Sequence, residues 1–286
     1  LAIFGYLAAV ALSVAVMLFG REINGSKRWL ALGPFSFQPS EFAKVALILF
    51  LADLVTKNVK TIGKMWTLCR IMFWILPIVG LVGASNLSTA IIILGIGVIL
   101  IFVASPKYAQ FAMMGIAGAC FMGIFLALES YRLERLAIWR NPEKYEKGYQ
   151  TLQGLYAIGS GGVFGVGIGN SVQKLGFVPE AQNDMIFSII CEELGLAGAG
   201  IIVFLFLLLI WRFFLIASGS RDLFGALIAT GAMAHMMIQV ILNIAVVTNT
   251  IPNTGITLPF ISYGGTSVMF LLIEMGLVLS VSQVVD

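Results

Sequence analysis

Long apolar segments, separated by shorter polar ones, occupy most of the chain. They lie near 1–19, 41–56, 71–85, 87–104, 108–128, 196–216, 222–247 and 263–283. A helix needs about 20 apolar residues to cross a hydrocarbon layer of about 30 Å, and most of these segments are long enough with their flanks. No alternating barrel pattern appears, and a lipid-facing backbone must satisfy its own hydrogen bonds. The pattern predicts an all-α fold, a polytopic transmembrane bundle of about eight helices.

Composition agrees with a membrane protein. Hydrophobic residues make up 59% of the chain and charged residues 11%, with a mean hydropathy of +1.00. Water-soluble domains usually carry about 25% charged residues. The net charge of +3 is too small to indicate nucleic-acid binding. Because the chain opens at Leu1 inside an apolar segment, we expect that an N-terminal part is missing.

Lysine and arginine in the short loops predict the orientation. Three loops carry an excess of them and should be cytoplasmic; the residues are Lys57, Lys60, Lys64, Arg70, Lys107, Arg212 and Arg221. The opposite, extracellular face then receives residues 20–40, 129–184 and 248–262. We predict a single membrane domain, 1–286, whose large extracellular loop, 129–184, contains short helices and carries the chemistry. A structureless loop of that length would be unusual.

Two stretches of the large loop have their own patterns. The SYRLERLAIW stretch has Tyr131, Leu133, Leu136 and Trp139 at helical spacing, typical of a helix in the membrane interface. Six glycines follow between Gly159 and Gly169 without a nucleotide-binding pattern. They indicate either close backbone packing in a membrane-dipping loop or a nest of N–H groups for a diphosphate.

The apolar run from Met185 to Leu215 is too long for one perpendicular span. We expect an external half-helix near 184–194, a break near Gly195 and Gly198, and then the true span. Glu192 and Glu193 would lie near the headgroups as polar anchors or as partners of loop arginines. His235, alone in an apolar helix, is interpreted as a structural or packing histidine.

Three other polar groups are candidates for chemistry. Glu41 and Lys44 share one face of a helix start, either as a snorkelling ion pair or as residues lining a substrate path. Asp184 is either the N-cap of the half-helix or a general base at an outward-facing helix mouth. The uncharged segment 248–267 is a linking loop or, through its hydroxyl and amide groups, a sugar contact.

Three stretches resemble the SEDS family of bacterial cell-wall proteins, the FtsW, RodA and SpoVE group. They are RWLALGPFSFQPSEFAKVAL, YAIGSGGVFGVGIGNSVQKLGFVPEAQNDMIFSIICEELGLAG and VVTNTIPNTGITLPFISYGGTS, in the family's order. The division-type FtsW or sporulation-type SpoVE branch is the better match than RodA. Gln182-Asn183 and SNLSTA at 85–90 depart from the family's common His-Thr and PDLGTA. Family members have about ten transmembrane helices, so about two would precede this chain.

The resemblance implies an inverting glycosyltransferase that polymerises lipid II into glycan strands at the outer face of the cytoplasmic membrane. Asp184 falls on the family's essential aspartate and would be the general base, with Glu180 in the same motif. Lys44, Arg28 and Lys174 would stabilise the undecaprenyl diphosphate leaving group, and Glu41 would orient Lys44. Ser262 and Tyr263 are candidate substrate contacts.

The resemblance also implies partners. These are lipid II, the undecaprenyl-diphosphate-linked glycan, membrane lipid, a class B penicillin-binding protein transpeptidase, and divisome or elongasome proteins. A divalent cation, Mg²⁺ or Mn²⁺, could share the diphosphate charge, although the sequence supplies no dedicated metal cluster. Two alternatives stay open: a lipid II flippase or transporter, and a non-catalytic scaffold of a division or elongation complex.

Overall fold

The computed structural model describes residues 2–23, 26–32, 35–105, 107–112, 115 and 136–283. Within them lie eight helices that are named here, α1 (Ala2–Phe19), α2 (Pro39–Asn58), α3 (Met65–Ser85), α4 (Leu87–Ala104), α5 (Tyr149–Gly161), α6 (Ile186–Gly219), α7 (Leu223–Val247) and α8 (Gly265–Ser282). Residues 136–140 are also helical. Most of the predicted span 108–128 and residues 131–135 of the predicted interfacial helix fall outside the described residues.

The all-α membrane fold is confirmed. Six of the described helices are long and apolar enough to cross a membrane; they are α1, α3, α4, α6, α7 and α8. Helix α2 contains the predicted span 41–56, with a proline in its first turn, where the missing N–H costs nothing. It is less apolar because it carries Glu41, Lys44, Asp53 and Lys57.

A small antiparallel sheet in the 20–40 segment was not expected. Its strands are β1 (Arg21–Ile23), β2 (Ser26–Leu32) and β3 (Phe35–Phe37), in the order β1-β2-β3. Arg21 pairs with Trp29, and Leu30 pairs with Phe37. Strands this short have too few residues for an alternating pattern to stand out, so pairing with a neighbour decides them.

The chain divides into two compact units. Unit 1 consists of Leu1–Gln110, Ile210–Ile238 and Gly264–Asp286, and unit 2 of Phe111–Leu209 and Gln239–Tyr263. In unit 1, α2 packs against α1 and α4, and α3 packs against α4. The aromatic rings of Tyr6, Phe50 and Trp74 meet there, and the Tyr6 hydroxyl donates to the Trp74 carbonyl at 2.7 Å. That bond satisfies a phenol that would otherwise be buried without a partner.

Unit 2 is built around α5 and the first half of α6. Gly154 and Gly161 of α5 face Met185 and the Cys191 carbonyl so closely that a methyl group on either glycine would collide. The predicted break in the long apolar run is confirmed: within α6, Gly195 has φ 68° and ψ −172°, which is not helical. Glycine is required there both by the positive φ and by the close approach of the Val163 carbonyl.

Candidate active site

Asp184 lies directly before α6, at the end of an irregular loop in unit 2. Its side chain is only 7% exposed. The N–H of Ser188 donates to the Met185 carbonyl at 3.0 Å, so Asp184 does not fill the capping position predicted as its alternative role.

Hydrogen bonds between two side chains and the backbone hold this loop in place. The Nδ2 of Asn243, on α7, donates to the Asp184 carbonyl at 2.8 Å and to the Ile256 carbonyl at 2.7 Å. The Ser262 hydroxyl donates to the Asn183 carbonyl at 2.7 Å and accepts from the Leu258 N–H at 2.7 Å. We call these contacts the Asn243–Ser262 clamp. Because Asn243 is fully buried, its two hydrogen bonds anchor the loop in a low-dielectric environment.

Two groups border the Asp184 carboxylate itself. The Nε2 of Gln150, on α5, donates to Asp184 Oδ1 at 3.4 Å. A Cβ at Gly255 would lie 3.8 Å from Asp184 Oδ2, and Gly255 has φ 69°. A side chain at position 255 would thus narrow the space beside Oδ2.

Burial raises the pKa of Asp184 to about 6, and the negative charge of Glu180 adds to the rise. Hydrogen bonds from Gln150 and from the nearby backbone oppose it. Glu180 is exposed, has φ 54°, and accepts a hydrogen bond from the Asn183 side chain. A carboxyl group with a pKa of about 6 is ionised at neutral pH yet basic enough to accept a proton, which is the compromise that general-base catalysis favours.

Glu192 and Glu193 hold the residues that follow the predicted glycine run. We call residues 162–177 the glycine loop. Glu192 is 3% exposed, and accepts from the Ser171 hydroxyl and from the Val172 N–H at 3.2 Å. Glu193 pairs with Lys174 at 2.6 Å. Their partners are therefore N–H and hydroxyl groups of the loop and Lys174 rather than the expected arginines, and both carboxylates turn into the loop.

Unit 1 contains a second set of buried charges. Lys44 Nζ lies 2.8 Å from Glu41 Oε1, as the spacing of these residues predicted, and both are buried. His235 is not alone: its Nδ1 lies 2.8 Å from Glu274 Oε2, and both side chains are buried. Glu41 also lies within interaction distance of His235 and of the Ser267 hydroxyl. Ionisable groups inside a membrane span are expensive unless they are paired in this way.

The remaining predicted residues divide by what their side chains contact. Arg28 Nε donates to the Ser85 carbonyl at 3.0 Å. The side chain of Ser262 is taken up by the clamp, which leaves the predicted substrate contact to Tyr263, whose ring is exposed. The backbone N–H of Tyr263 donates to the Gln182 carbonyl at 2.8 Å, so this residue too helps to hold the Asp184 loop.

Three residues of these networks did not emerge from the sequence. Asn243 and Glu274 are polar residues inside apolar helices, and that signal alone could have selected them. Gln150 gave no comparable signal, since it lies in a polar stretch. Among the described residues, no group of three or more His, Cys, Asp or Glu side chains is arranged to hold a metal ion. A divalent cation stays a prediction.

Comparison with known proteins places these features in a family. The protein-family model described as "Cell cycle protein", which covers FtsW, RodA and SpoVE, matches residues 1–286. Stage V sporulation protein E of Bacillus subtilis (strain 168) is 42% identical over 275 residues, which cover 92% of this chain and 73% of that protein. The probable peptidoglycan glycosyltransferase FtsW of Coxiella burnetii is 37% identical over 294 residues, with 97% of this chain and 78% of that protein covered.

Two solved structures share the fold. A chain of a peptidoglycan synthase complex, described as coordinating polymerization and crosslinking, superposes with a TM-score of 0.85 at 30% identity, covering 99% of this chain and 81% of that one. The rod shape determining protein RodA of Thermus thermophilus gives 0.71 at 30% identity, covering 99% and 78%. Both are well above the similarity that a chance arrangement of helices would give. The chain therefore belongs to the FtsW, RodA and SpoVE family of membrane proteins, as its three sequence stretches indicated.

Proposed function

We propose that this chain is a peptidoglycan glycosyltransferase that polymerises lipid II into glycan strands at the outer face of the cytoplasmic membrane. Relatives at 36–37% identity carry the name of probable peptidoglycan glycosyltransferase. The observation that carries the proposal is Asp184, a buried carboxylate with a pKa raised to about 6 and held by the Asn243–Ser262 clamp.

In the proposed reaction, Asp184 takes the proton from the 4-hydroxyl group of the acceptor sugar. The oxygen forms a bond to the anomeric carbon of the donor, and the bond from that carbon to the diphosphate breaks. The electron pair leaves on undecaprenyl diphosphate, and in-line attack inverts the configuration. Because diphosphate departs as a stable anion, one base is enough, whereas glycoside hydrolysis uses two carboxyl groups. A positioned base of this kind contributes roughly 10²–10⁴-fold in rate.

The basic residues complete the proposal. Arg28, Lys44 and Lys174 would stabilise the charge that develops on the diphosphate, and Glu41 would orient Lys44. Each of the two lysines is paired with a carboxylate, Lys44 with Glu41 at 2.8 Å and Lys174 with Glu193 at 2.6 Å. The lysines and arginines of the short loops support a cytoplasmic location for those loops and an extracellular location for the Asp184 loop.

The partner belongs to the same proposal. One structural relative comes from a peptidoglycan synthase complex, which supports a cell-wall synthesis partner in general. We propose a class B penicillin-binding protein transpeptidase, working within a division, elongation or sporulation assembly. Such a partner would crosslink the glycan strands as this chain extends them.

Purified protein in liposomes, with fluorescent lipid II and its partner, tests the function. The Asp184→Ala variant should lose polymer while still binding lipid II. Asp53→Asn is the matched control, since Asp53 is an acid on the surface of unit 1 that pairs with Lys57 at 2.6 Å. Unchanged polymer in Asp184→Ala would sink the assignment of the base. Retained polymer with lost lipid II flipping would indicate a transporter, and polymer made by the partner alone would indicate a scaffold.

A further inference from the structure

The glycine loop exposes large apolar side chains, which is unusual for a loop that lies in water. Phe164 is 84% exposed and Ile168 is 81% exposed. The other exposed apolar side chains of the loop are Val163, Val166, Val172, Leu175 and Phe177. The Ser171 side chain is almost fully buried instead, against the equally buried Glu192 of α6. Water would favour the reverse arrangement.

Many backbone N–H groups of the loop have a hydrogen-bond acceptor within the protein, so they do not need water as a partner. The Val166 and Gly167 N–H groups donate to the carbonyls of Glu192 and Glu193 at 2.9 and 3.0 Å. Further N–H donors with an acceptor inside unit 2 are Gly165, Asn170, Ser171, Val172, Lys174 and Leu175. An irregular segment can approach lipid only when its polar backbone groups are satisfied internally.

Hydrogen bonds to α6 determine the level of the glycine loop relative to the membrane. The Leu196 and Ala197 N–H groups donate to the carbonyls of Gly162 and Val163 at 2.9 and 3.0 Å, so the loop lies beside the kink at Gly195. Leu196 itself is exposed, as are Ile201 and Phe204 further along this apolar helix. The sequence from Gly195 to Arg212 is about 17 residues, or ~26 Å of helix, which is close to the thickness of a hydrocarbon layer. The kink, and the loop with it, therefore lies near one boundary of that layer.

We propose that the glycine loop is a membrane anchor that inserts Phe164 and Ile168 into the boundary between the headgroups and the acyl chains, in the leaflet on the Asp184 side. The occupant of this surface is lipid, because the exposed side chains of the loop adjoin α6 at Leu196, where the exposed apolar face of that helix begins. Aromatic and aliphatic side chains at this level are typical of interfacial anchors.

The anchor has a consequence that rests on the proposed function. Glu192 connects the loop to the half-helix that follows Asp184, and both belong to unit 2. Insertion of Phe164 and Ile168 would hold the Asp184 loop at the height of the headgroups. A lipid-linked diphosphate lies at that height, so the anchor would bring base and substrate to the same level.

Spin labels test the insertion independently of catalysis. Single cysteines at Phe164 and Ile168, in a chain with Cys69, Cys120 and Cys191 replaced, are labelled and reconstituted in liposomes without a partner. We expect both labels to collide with oxygen far more than with a water-soluble nickel chelate, as a label at lipid-facing Phe204 should. A label at exposed Glu146 serves as the water reference. Labels at 164 and 168 that match Glu146 would overturn the proposal, as would labels shielded from both reagents, which would indicate a protein-covered surface.

A second measurement needs no cysteine replacement. The Phe164→Trp variant of the otherwise unchanged chain should show additional fluorescence quenching by lipids brominated near the carbonyl end of the acyl chain. Quenching equal to that of the unchanged chain would contradict insertion. Absence of polymerisation by the unchanged chain, together with the expected additional quenching in Phe164→Trp, would count against the proposed function alone.

Discussion

Replacing Asp184 by Asn should make the protein more stable at neutral pH, while abolishing its activity. Burial and Glu180 raise the pKa of Asp184 from 3.8 to about 6, which means that the folded protein disfavours the ionised form. A shift of about 2 units corresponds to roughly 3 kcal/mol, since one unit is about 1.4 kcal/mol. Asparagine has the same size, carries no charge and therefore avoids this cost.

The sign of the effect depends on pH. Below the unfolded-state pKa of 3.8, both states are protonated and the ionisation cost is absent. As pH rises from there through the folded-state pKa of about 6, only the unfolded state ionises readily, and wild type loses stability. The advantage of Asp184→Asn should therefore be near zero at about pH 4 and reach its full value above about pH 7.

Thermal unfolding in detergent, followed by tryptophan fluorescence between pH 4 and 8, measures this advantage. For about 2 °C per kcal/mol, the melting temperature of Asp184→Asn should exceed that of wild type by roughly 5 °C at pH 7.5. Asp53→Asn, at a more exposed acid, should show little difference at any pH. A melting temperature of Asp184→Asn below that of wild type at pH 7.5, or a gain that does not change with pH, would refute the reasoning.

Three further predictions concern the same networks. The polymerisation rate should rise with pH, with a midpoint at about pH 6. The Glu180→Gln variant should move this midpoint to lower pH, because it removes a negative charge near Asp184. An unchanged midpoint would exclude an electrostatic effect of Glu180 on Asp184. Asn243→Ala should leave two buried carbonyl groups unpaired, cost about 2–4 kcal/mol in unfolding experiments and reduce kcat, and an effect on KM alone would contradict a positioning role. Glu274→Gln or His235→Gln should each lower the free energy of unfolding by about 3–5 kcal/mol, and replacing both residues by apolar ones should recover much of that loss. If the double replacement instead lowers the melting temperature by the sum of the two single shifts, this prediction is wrong.

The sequence predicted the parts of the fold that depend on neighbours along the chain. The spans, the helix start with Glu41 and Lys44 on one face, and the break at Gly195 all follow from periodicity, length and glycine placement. The three strands of the 20–40 segment did not, because segments of three to seven residues are decided by pairing rather than by their own pattern. Asp184 was selected from its place before a half-helix together with the family resemblance.

Long-range pairing within the described residues marks the limit of that reasoning. The partners of Glu192 and His235 were not predicted because these partners, Ser171 and Glu274, are 21 and 39 positions away along the chain. The hydrogen bond from Asn243 to the Asp184 carbonyl spans 59 positions. Contacts of this kind form only when packed helices bring distant segments together, and local pattern carries no record of that packing.

The sequence by itself thus determined the membrane location of the helices, their kink and the presence of a carboxylate at a helix mouth, because helix length, hydropathy and backbone conformation are local properties. Only the tertiary structure decided how that carboxylate is buried, which residues clamp it and why its pKa rises. Those properties depend on solvent exclusion and on partners from α5, α7 and the segment before α8, all of which are assembled by folding.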